Sequence, residues 1–486
     1  MLKFRATLAA ICLSGWAAGA ATVKPVNLRC EYRDQPVGID AGVPRLSWQI
    51  QDARRDAMQT AYQIVVASTR AALAKHRGDV WDSGKITSDQ CIGVEYKGPA
   101  VESRHRYYWQ VRVWDQKGHP STYSDASYWE MGLLQPSDWK AQWISGDARL
   151  LPPFVDWLWS PGENAREKTE KTPHYFRTAF ELTKPDGGTL EATAKDSIKV
   201  WVNGRELTPV YPVRAWGTMK TFSLKDVLRP GKNVVAIEAD TEGGPAAMAA
   251  FLWWNGPQVI TGRPGTEWKV STAAPSEWKS ADFDDSSWST AVPVAKLGEQ
   301  PFGDPTPPIR ASYLRKTFDT AKPIARARVY VTALGSYRLH INGQRVGKDI
   351  LTPDWTDYRK RVQYQTYDVT GLLKQGRNAI GATLGEGWYG SALGWQLVRY
   401  NFGPPPPRLL AQLEIEYKDG TSETIVTDRS WKTAQSPILR SDLYAGEFYD
   451  ATLETPGWDQ PQYADSGWTP VRVQAAPAIA VSAQDS

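Results

Sequence analysis

Residues Val329–Gly390 read VYVTALGSYRLHINGQRVGKDILTPDWTDYRKRVQYQTYDVTGLLKQGRNAIGATLGEGWYG. Tyr337, Leu339 and Ile341 alternate with Arg338 and His340, the period of two of a half-buried strand. Asn342-Gly343 then supplies a two-residue hairpin, because a type I′ turn needs positive φ at both central positions. A second strand ends near Asp368, and the turn Gln375-Gly376-Arg377 leads into another over Asn378–Leu384. The stretch reads as a β-sandwich module.

Working outward, the same signals occur twice in the same order. Phe176–Phe180 answers Leu314–Phe318, the hairpin Val200–Arg205 answers Leu339–Gln344, and Asp226–Val234 answers Asp368–Ala379. Each copy closes on a tryptophan, Trp268 or Trp431, followed by an aromatic-x-Asp-Ser-x-Trp shape at Phe283–Trp288 or Tyr463–Trp468. Residues 138–300 and 309–473 are therefore read as duplicated jelly rolls of the galactose-binding-like kind, two sheets each with alternating apolar residues facing inward. Before them, residues 25–135 alternate over Arg45–Ile50, Tyr62–Val66 and Tyr108–Trp114, an antiparallel sandwich of about a hundred residues. The predicted fold is all-β throughout, with one short helix over Ser68–Arg77 capped by Ser68 or Thr69. Gln135–Asp138 and the proline-rich Gln300–Pro308 are read as linkers. Pro404–Pro407 cannot lie inside a strand. Residues 474–486 show no core-forming pattern and read as the truncated start of a further segment.

The 486 residues suit about three domains at roughly 150 residues each. Lys and Arg number 57 against 53 Asp and Glu, a net +4, with no basic cluster; nucleic acid is a poor expectation. Lys3 and Arg5, the apolar run Ala6–Trp16 and Ala18-Gly19-Ala20 have the form of a signal peptide over residues 1–20. Its removal leaves 55 basic against 53 acidic residues, and an exported, periplasmic or secreted bacterial protein without a membrane span is expected. Cys30 and Cys91 remain; an oxidising compartment permits a disulfide, and two small buried thiols are the plainer reading.

Catalytic sets are scarce. A glycosidase needs two carboxylates flanking the scissile bond. Glu386, on the glycine-rich run Leu384–Gly390 beside Trp388 and Tyr389, is the one carboxylate in a site-like setting, and an acid that only braces the loop explains it as well. Asp354 and Asp357 suit turn and cap roles. The five histidines show no metal-ligand spacing, and there is no Gly-x-Ser-x-Gly elbow or phosphate loop. The chemistry left is aromatic, since flat rings bury the apolar face of a sugar while polar neighbours read its hydroxyls. Trp388, Tyr389 and Trp395 are the expected exposed sugar contacts, with Glu386 beside them; Trp216, Trp253, Trp254 and Trp355 are further candidates. Most tryptophans of a sandwich fill its core, and Trp201, Trp268, Trp288, Trp431 and Trp468 are assigned there. Asp282–Asp285 offers oxygens for calcium, although the same shape at Tyr463–Trp468 points to a turn; the metal is left open.

Three stretches carry a closer resemblance: LRCEYRDQPVGIDAGVPRLSWQI from Leu28, Val329–Gly390, and SDLYAGEFYDAT at Ser441–Thr452. Together with the order PRLSWQI, YQIVVAS, WDSGKI, YYWQVRVWD in the first unit, they resemble the β-domains that precede the catalytic barrel of bacterial α-L-rhamnosidases. The resemblance implies a fibronectin type III-like sandwich at residues 25–135 and a rhamnosidase N-terminal module at 309–473. In that family an (α/α)6 barrel further along hydrolyses terminal α-L-rhamnose with inversion; its carboxylate motif has no counterpart here, so no catalytic residue carries over. Modules resembling the second unit can hold a rhamnose diol with calcium. The expectation is an inactive chain that meets rhamnose-containing glycosides or polysaccharides and docks a catalytic barrel encoded downstream. A stand-alone envelope carbohydrate-binding protein and a ligand-free structural array are the alternatives.

Overall fold

The structure, a computed structural model, describes residues 23–146, 156–185, 187–209, 219–254, 258–260, 267–303, 305, 309–393, 398–399, 402–403, 405–444 and 446–484. The proposed signal peptide, Trp216 and Trp395 lie outside them. The fold is all-β, as the alternation predicts. The first sandwich packs Lys24–Cys30, Arg45–Gln51 and Val94–Glu95 against a sheet centred on Gln59–Ala67 and Arg106–Asp115. Trp48, Trp109 and Trp129 are fully enclosed between them. The predicted helix is shorter than its pattern: it covers only Arg70–Leu73, with the Thr69 hydroxyl accepting from the Ala72 N–H at 3.1 Å. His76, at φ 53°, turns the chain out of the helical direction.

The duplication is visible strand by strand. In one copy a sheet runs Arg205–Leu207, Ser197–Val202, Gly231–Asp240, His174–Leu182, Lys269–Ser271, Ser289–Thr290. In the other the order is Gln344–Arg345, Ser336–Ile341, Gly376–Gly385, Ser312–Thr320, Lys432–Gln435, Thr469–Pro470. The same asparagine pair, with one member fully buried, locks both. Asn203 donates to Asn233 Oδ1 (2.9 Å) and Asn342 to Asn378 Oδ1 (2.7 Å), while the Asn203 and Asn342 carbonyls accept the N–H of Val234 and Ala379 at 2.9 Å. Each copy also buries one strand arginine, Arg177 or Arg315, against the aspartate of the closing turn, Asp285 or Asp465. That is the physical meaning of the repeated Asp-Ser-x-Trp shape: it neutralises a charge the sheet has buried.

The sequence places residue 138 at the start of the first copy, and here the structure corrects it. Ile144 pairs with Leu409 and with Val473, so Ile144-Ser145 is a strand of the last sandwich, between Arg408–Tyr417 and Arg472–Val473. It occupies the place that Asp156–Trp159 holds in the other copy, between Met248–Trp254 and Val292–Lys296. The first jelly roll is thus inserted into the second. A further correction concerns residues 474–486, where Ala480–Ala483 forms a strand parallel to Arg361–Asp368, with Val481 and Ala483 packed into the core.

The first and last sandwiches share a joint. Gly38, at φ 80°, lies so close to Thr366 that a Cβ would sit 2.1 Å from its hydroxyl, so only glycine meets both the turn and the approach. Tyr364 Oη accepts the Leu133 N–H at 2.8 Å, and Arg104 binds both Glu414 and Asp138 at 2.8 Å. Glu130, 1% exposed, takes Arg106, Arg326 and Arg328 together.

Candidate functional site

The glycine-rich run that carries Glu386 closes the strand Gly376–Gly385 and forms a single helical turn, Gly387–Gly390. Gly387 adopts φ 48° with Ser336 packed against it, which turns the chain inward at once. Glu386 is consequently buried at 2% exposure, and its Oε2 accepts the Ile309 N–H at 3.1 Å. It anchors the end of the proline-rich connection to the last sandwich.

The expected exposed contacts divide. Tyr389 is only 5% exposed: its ring joins Trp143, Leu334, Tyr358, Val362 and Leu410 in a core cluster, and burial raises its phenol pKa. This corrects the reading of Tyr389 as an exposed contact. Trp388, one helical position earlier, is half-buried and packs at the edge of the same cluster. Its indole lies parallel to that of Trp355, centroids 5.3 Å apart and planes within 1°. Trp355 is 55% exposed, the most open tryptophan among the described side chains. Trp395, outside the described residues, has no place in this geometry, and Trp253 and Trp254 end the strand Met248–Trp254.

Trp355 rides on a braced loop. The Asp357 carbonyl accepts the N–H groups of Lys360 (2.8 Å) and Arg361 (3.0 Å), Thr356 Oγ1 donates to the Arg361 carbonyl (2.7 Å), and Tyr358 Oη donates to the Asp354 carbonyl (3.0 Å). Tyr358 itself is buried edge-on against Tyr389 (5.8 Å) and Phe402 (5.2 Å). Between these parts lies an open groove of about 350 Å³, lined by Trp355, Thr356, Asp357, Arg359 and Phe402. Arg359 Nε donates to Asp357 Oδ1 at 2.8 Å, and the guanidinium lies 5.8 Å from the Phe402 ring centre. Phe402 has no strand alternation to announce it, and its role in the groove is legible only in three dimensions.

The opposite face of the same sandwich carries a second aromatic group, and it is structural. Trp458 stacks on Tyr313 (4.1 Å) and on His340 (5.8 Å), while His340 Nδ1 lies 2.6 Å from Asp459 Oδ2. In the other copy Trp201 stands where His340 does, with Lys279 Nζ 4.0 Å above its ring in place of the His–Asp pair. The hydrogen bond from His340 holds the Asp459 carboxyl below its ordinary range. Burial pushes the Asp465 carboxyl up, but the Lys432 hydrogen bond and the Arg315 charge outweigh it and leave that pKa lowered as well. A carboxylate whose folded pKa is depressed stabilises fully above its unfolded value near 4, and that contribution fades as pH falls through the folded value. Tm is therefore expected to stay level from about pH 7 to 5 and to drop below about pH 4. Asp459→Asn is expected to start lower and to show a shallower acid slope, read by thermal unfolding at each pH.

Asp282–Asp285 is held as a turn: Asp285 binds Arg177 at 2.8 Å, and Asp284 Oδ1 accepts the Ser286 N–H at 2.9 Å. One oxygen each of Asp284 and Asp285 is thereby engaged within the protein. Among the described residues no group of three or more His, Cys, Asp or Glu is placed to hold a metal ion. Cys30 and Cys91 are free thiols, and burial raises the pKa of Cys30. No helix of the described residues is long and apolar enough to cross a membrane.

The described residues thus form a sandwich followed by two nested jelly rolls, with an aromatic groove on the last. Family models agree: residues 25–135 match the Rha78A-like N-terminal immunoglobulin domain, and residues 322–486 match the alpha-L-rhamnosidase N-terminal domain. By these models the chain carries the N-terminal β-domains found in α-L-rhamnosidases. It is 41% identical to an alpha-L-rhamnosidase of Streptomyces avermitilis over 91% of this chain and 44% of the relative, and 28% identical to one of Alteromonas sp. over 93% and 33%. The crystal structure of the Streptomyces avermitilis alpha-L-rhamnosidase complexed with L-rhamnose matches with a TM-score of 0.81 and 39% identity, over 95% of this chain and 46% of that one. The chain thus spans less than half the length of these relatives.

Proposed function

We propose that this chain is the non-catalytic β-region of an exported α-L-rhamnosidase, one that captures rhamnose-containing glycosides and forms a rigid base for a catalytic (α/α)6 domain. The carrying observation is that the first sandwich and both jelly rolls together match less than half of an enzyme solved with L-rhamnose. The rigid joint at Glu130 and Arg104 suits a base that must hold a partner domain in one orientation. A stand-alone sugar-binding protein is the second reading, favoured by the open groove at Trp355. The purified chain is expected to release no nitrophenol from nitrophenyl α-L-rhamnoside and to bind L-rhamnose weakly in ligand-detected NMR, titrated with and without calcium. Turnover would refute the non-catalytic reading, and the absence of any binding would remove sugar capture from it.

A further inference from the structure

We infer that the hairpin of Ile438–Asp442 and Gly446–Tyr449 is a docking surface, on which Arg440 receives an aspartate or glutamate of the catalytic domain. This rests on the reading that the chain is the base for such a domain. Four arginines are buried among the described residues: Arg177, Arg315, Arg328 and Arg440. The first three meet carboxylates, those of Asp285, Asp465 and Glu130 respectively. Arg440, 4% exposed, meets none among the described residues, and its Nε has no hydrogen-bond partner. A guanidinium cannot shed its charge by losing a proton, so enclosing it without a counter-charge is costly. Arg440 therefore calls for an anion that the β-region does not itself supply.

The hairpin stands apart from the two large sheets of the last sandwich. Its strands pair with each other, Arg440 opposite Phe448 and Asp442 opposite Gly446, and form a two-stranded sheet of their own. The base is tied down: the Ile438 carbonyl accepts the Ala311 N–H at 3.1 Å, and the Pro437 carbonyl accepts the Asp450 N–H at 3.0 Å. On the same hairpin Tyr444 and Tyr449 are each at least half exposed. Two-stranded hairpins are marginal alone and need a surface to pack against. Tyrosines around an enclosed arginine have the composition of a protein-interface hot spot, in which ring area supplies affinity and the desolvated cation selects the partner's charge. The motif SDLYAGEFYDAT at Ser441–Thr452 makes up most of this hairpin. The matched relatives extend well beyond this region. A domain tethered to the same polypeptide docks at high effective concentration, so one ion pair flanked by aromatic contacts is enough to fix its orientation.

Two measurements on the same substitutions test this. In the full chain, Arg440→Met is expected to raise Tm by about 2 °C or more, because it removes an unpaired charge and keeps an apolar stem. A lowered Tm would mean that Arg440 holds the β-region together, and would overturn the docking assignment. The second measurement uses a chimaera in which this chain replaces the matched part of the Streptomyces avermitilis alpha-L-rhamnosidase, assayed on nitrophenyl α-L-rhamnoside. There Arg440→Met is expected to act in the opposite direction and shorten the half-life of activity on heating by about fivefold or more. Tyr444→Ala is expected to shorten that half-life by about twofold, while leaving the Tm of the isolated chain unchanged. Arg440→Lys is expected to retain most of the wild-type lifetime, since it keeps the charge. Half-lives that none of the three variants changes would overturn the docking surface and leave the chain's place in a rhamnosidase intact. A wild-type chimaera without activity would overturn both.

Discussion

Replacing Glu130 by alanine is expected to destabilise the joint between the first and last sandwiches by about 3–5 kcal/mol, the cost of removing one partner from a buried ion pair. Glu130 is 1% exposed, and its two oxygens receive Arg328 at 2.7 Å, Arg106 at 2.7 Å and Arg326 at 3.0 Å. The three cations do not lose equally. Arg106 also lies 4.2 Å over the Tyr128 ring, Arg326 also binds Glu416, and both are partly solvated. Arg328, whose side chain is 5% exposed, keeps only Asp368 at 2.9 Å and its own neighbour's carbonyl. It therefore decides the magnitude. Urea unfolding followed by tryptophan fluorescence should show the first sandwich separating at lower denaturant than the rest in Glu130→Ala. Pairing Glu130→Met with Arg328→Met should recover part of the loss, because an apolar pair leaves no isolated buried charge. A single variant within about 1 kcal/mol of wild type would mean that the cluster is solvated and that other contacts hold the joint.

The second large effect concerns the insertion. Removing residues 147–308 and joining Gly146 to Ile309 through a short Gly-Ser linker is expected to leave a folded two-sandwich protein, whereas a chain beginning at residue 309 is expected to aggregate. The ends of the insertion are close: a Cβ on Gly146 would meet the Ser312 hydroxyl at 2.3 Å. Inserted domains with adjacent ends are removable because few contacts cross their boundary. The truncation at 309 loses something different. Ile144, fully buried in the core, disappears together with its pairing to Leu409 and Val473. The hydrogen bonds from the Gln142 N–H to the Thr427 carbonyl and from the Gln474 N–H to the Trp143 carbonyl, both 2.8 Å, go with it. Two strand edges are then left open in the middle of a sheet, where another chain can add. Gel filtration and thermal unfolding of the two variants separate the outcomes. A monomeric, cooperatively folded 309–486 would show that Ile144-Ser145 is dispensable.

Local chemistry was legible from residue order alone. Alternation at Tyr337–Ile341 and the turn at Asn342-Gly343 reappear as the strand Ser336–Ile341 and its hairpin, with Asn342 at φ 52°. The duplication was readable because both copies need the same asparagine lock and the same aspartate on a buried arginine. Trp388 and Tyr389 show where such reading stops. They are adjacent in a glycine-rich run, and only the helical turn Gly387–Gly390 encloses Tyr389 in the core and leaves Trp388 at the edge of that cluster, stacked on Trp355. Glu130 sits in the strand Ser127–Met131 as an ordinary charged residue until three arginines reach it, two of them from a sandwich almost two hundred residues later. The nesting of the jelly rolls was hidden for the same reason. A two-residue strand carries too little pattern to name its partner, and Ile144 pairs with Leu409 across the whole of the inserted module. Residue order determined the sandwiches, their turns and their repetition, because those depend on neighbours a few positions apart. Tertiary structure alone decided which sheet each short strand joins, which charges are buried together and which tryptophan faces solvent, because those depend on groups that meet only after the chain has closed on itself.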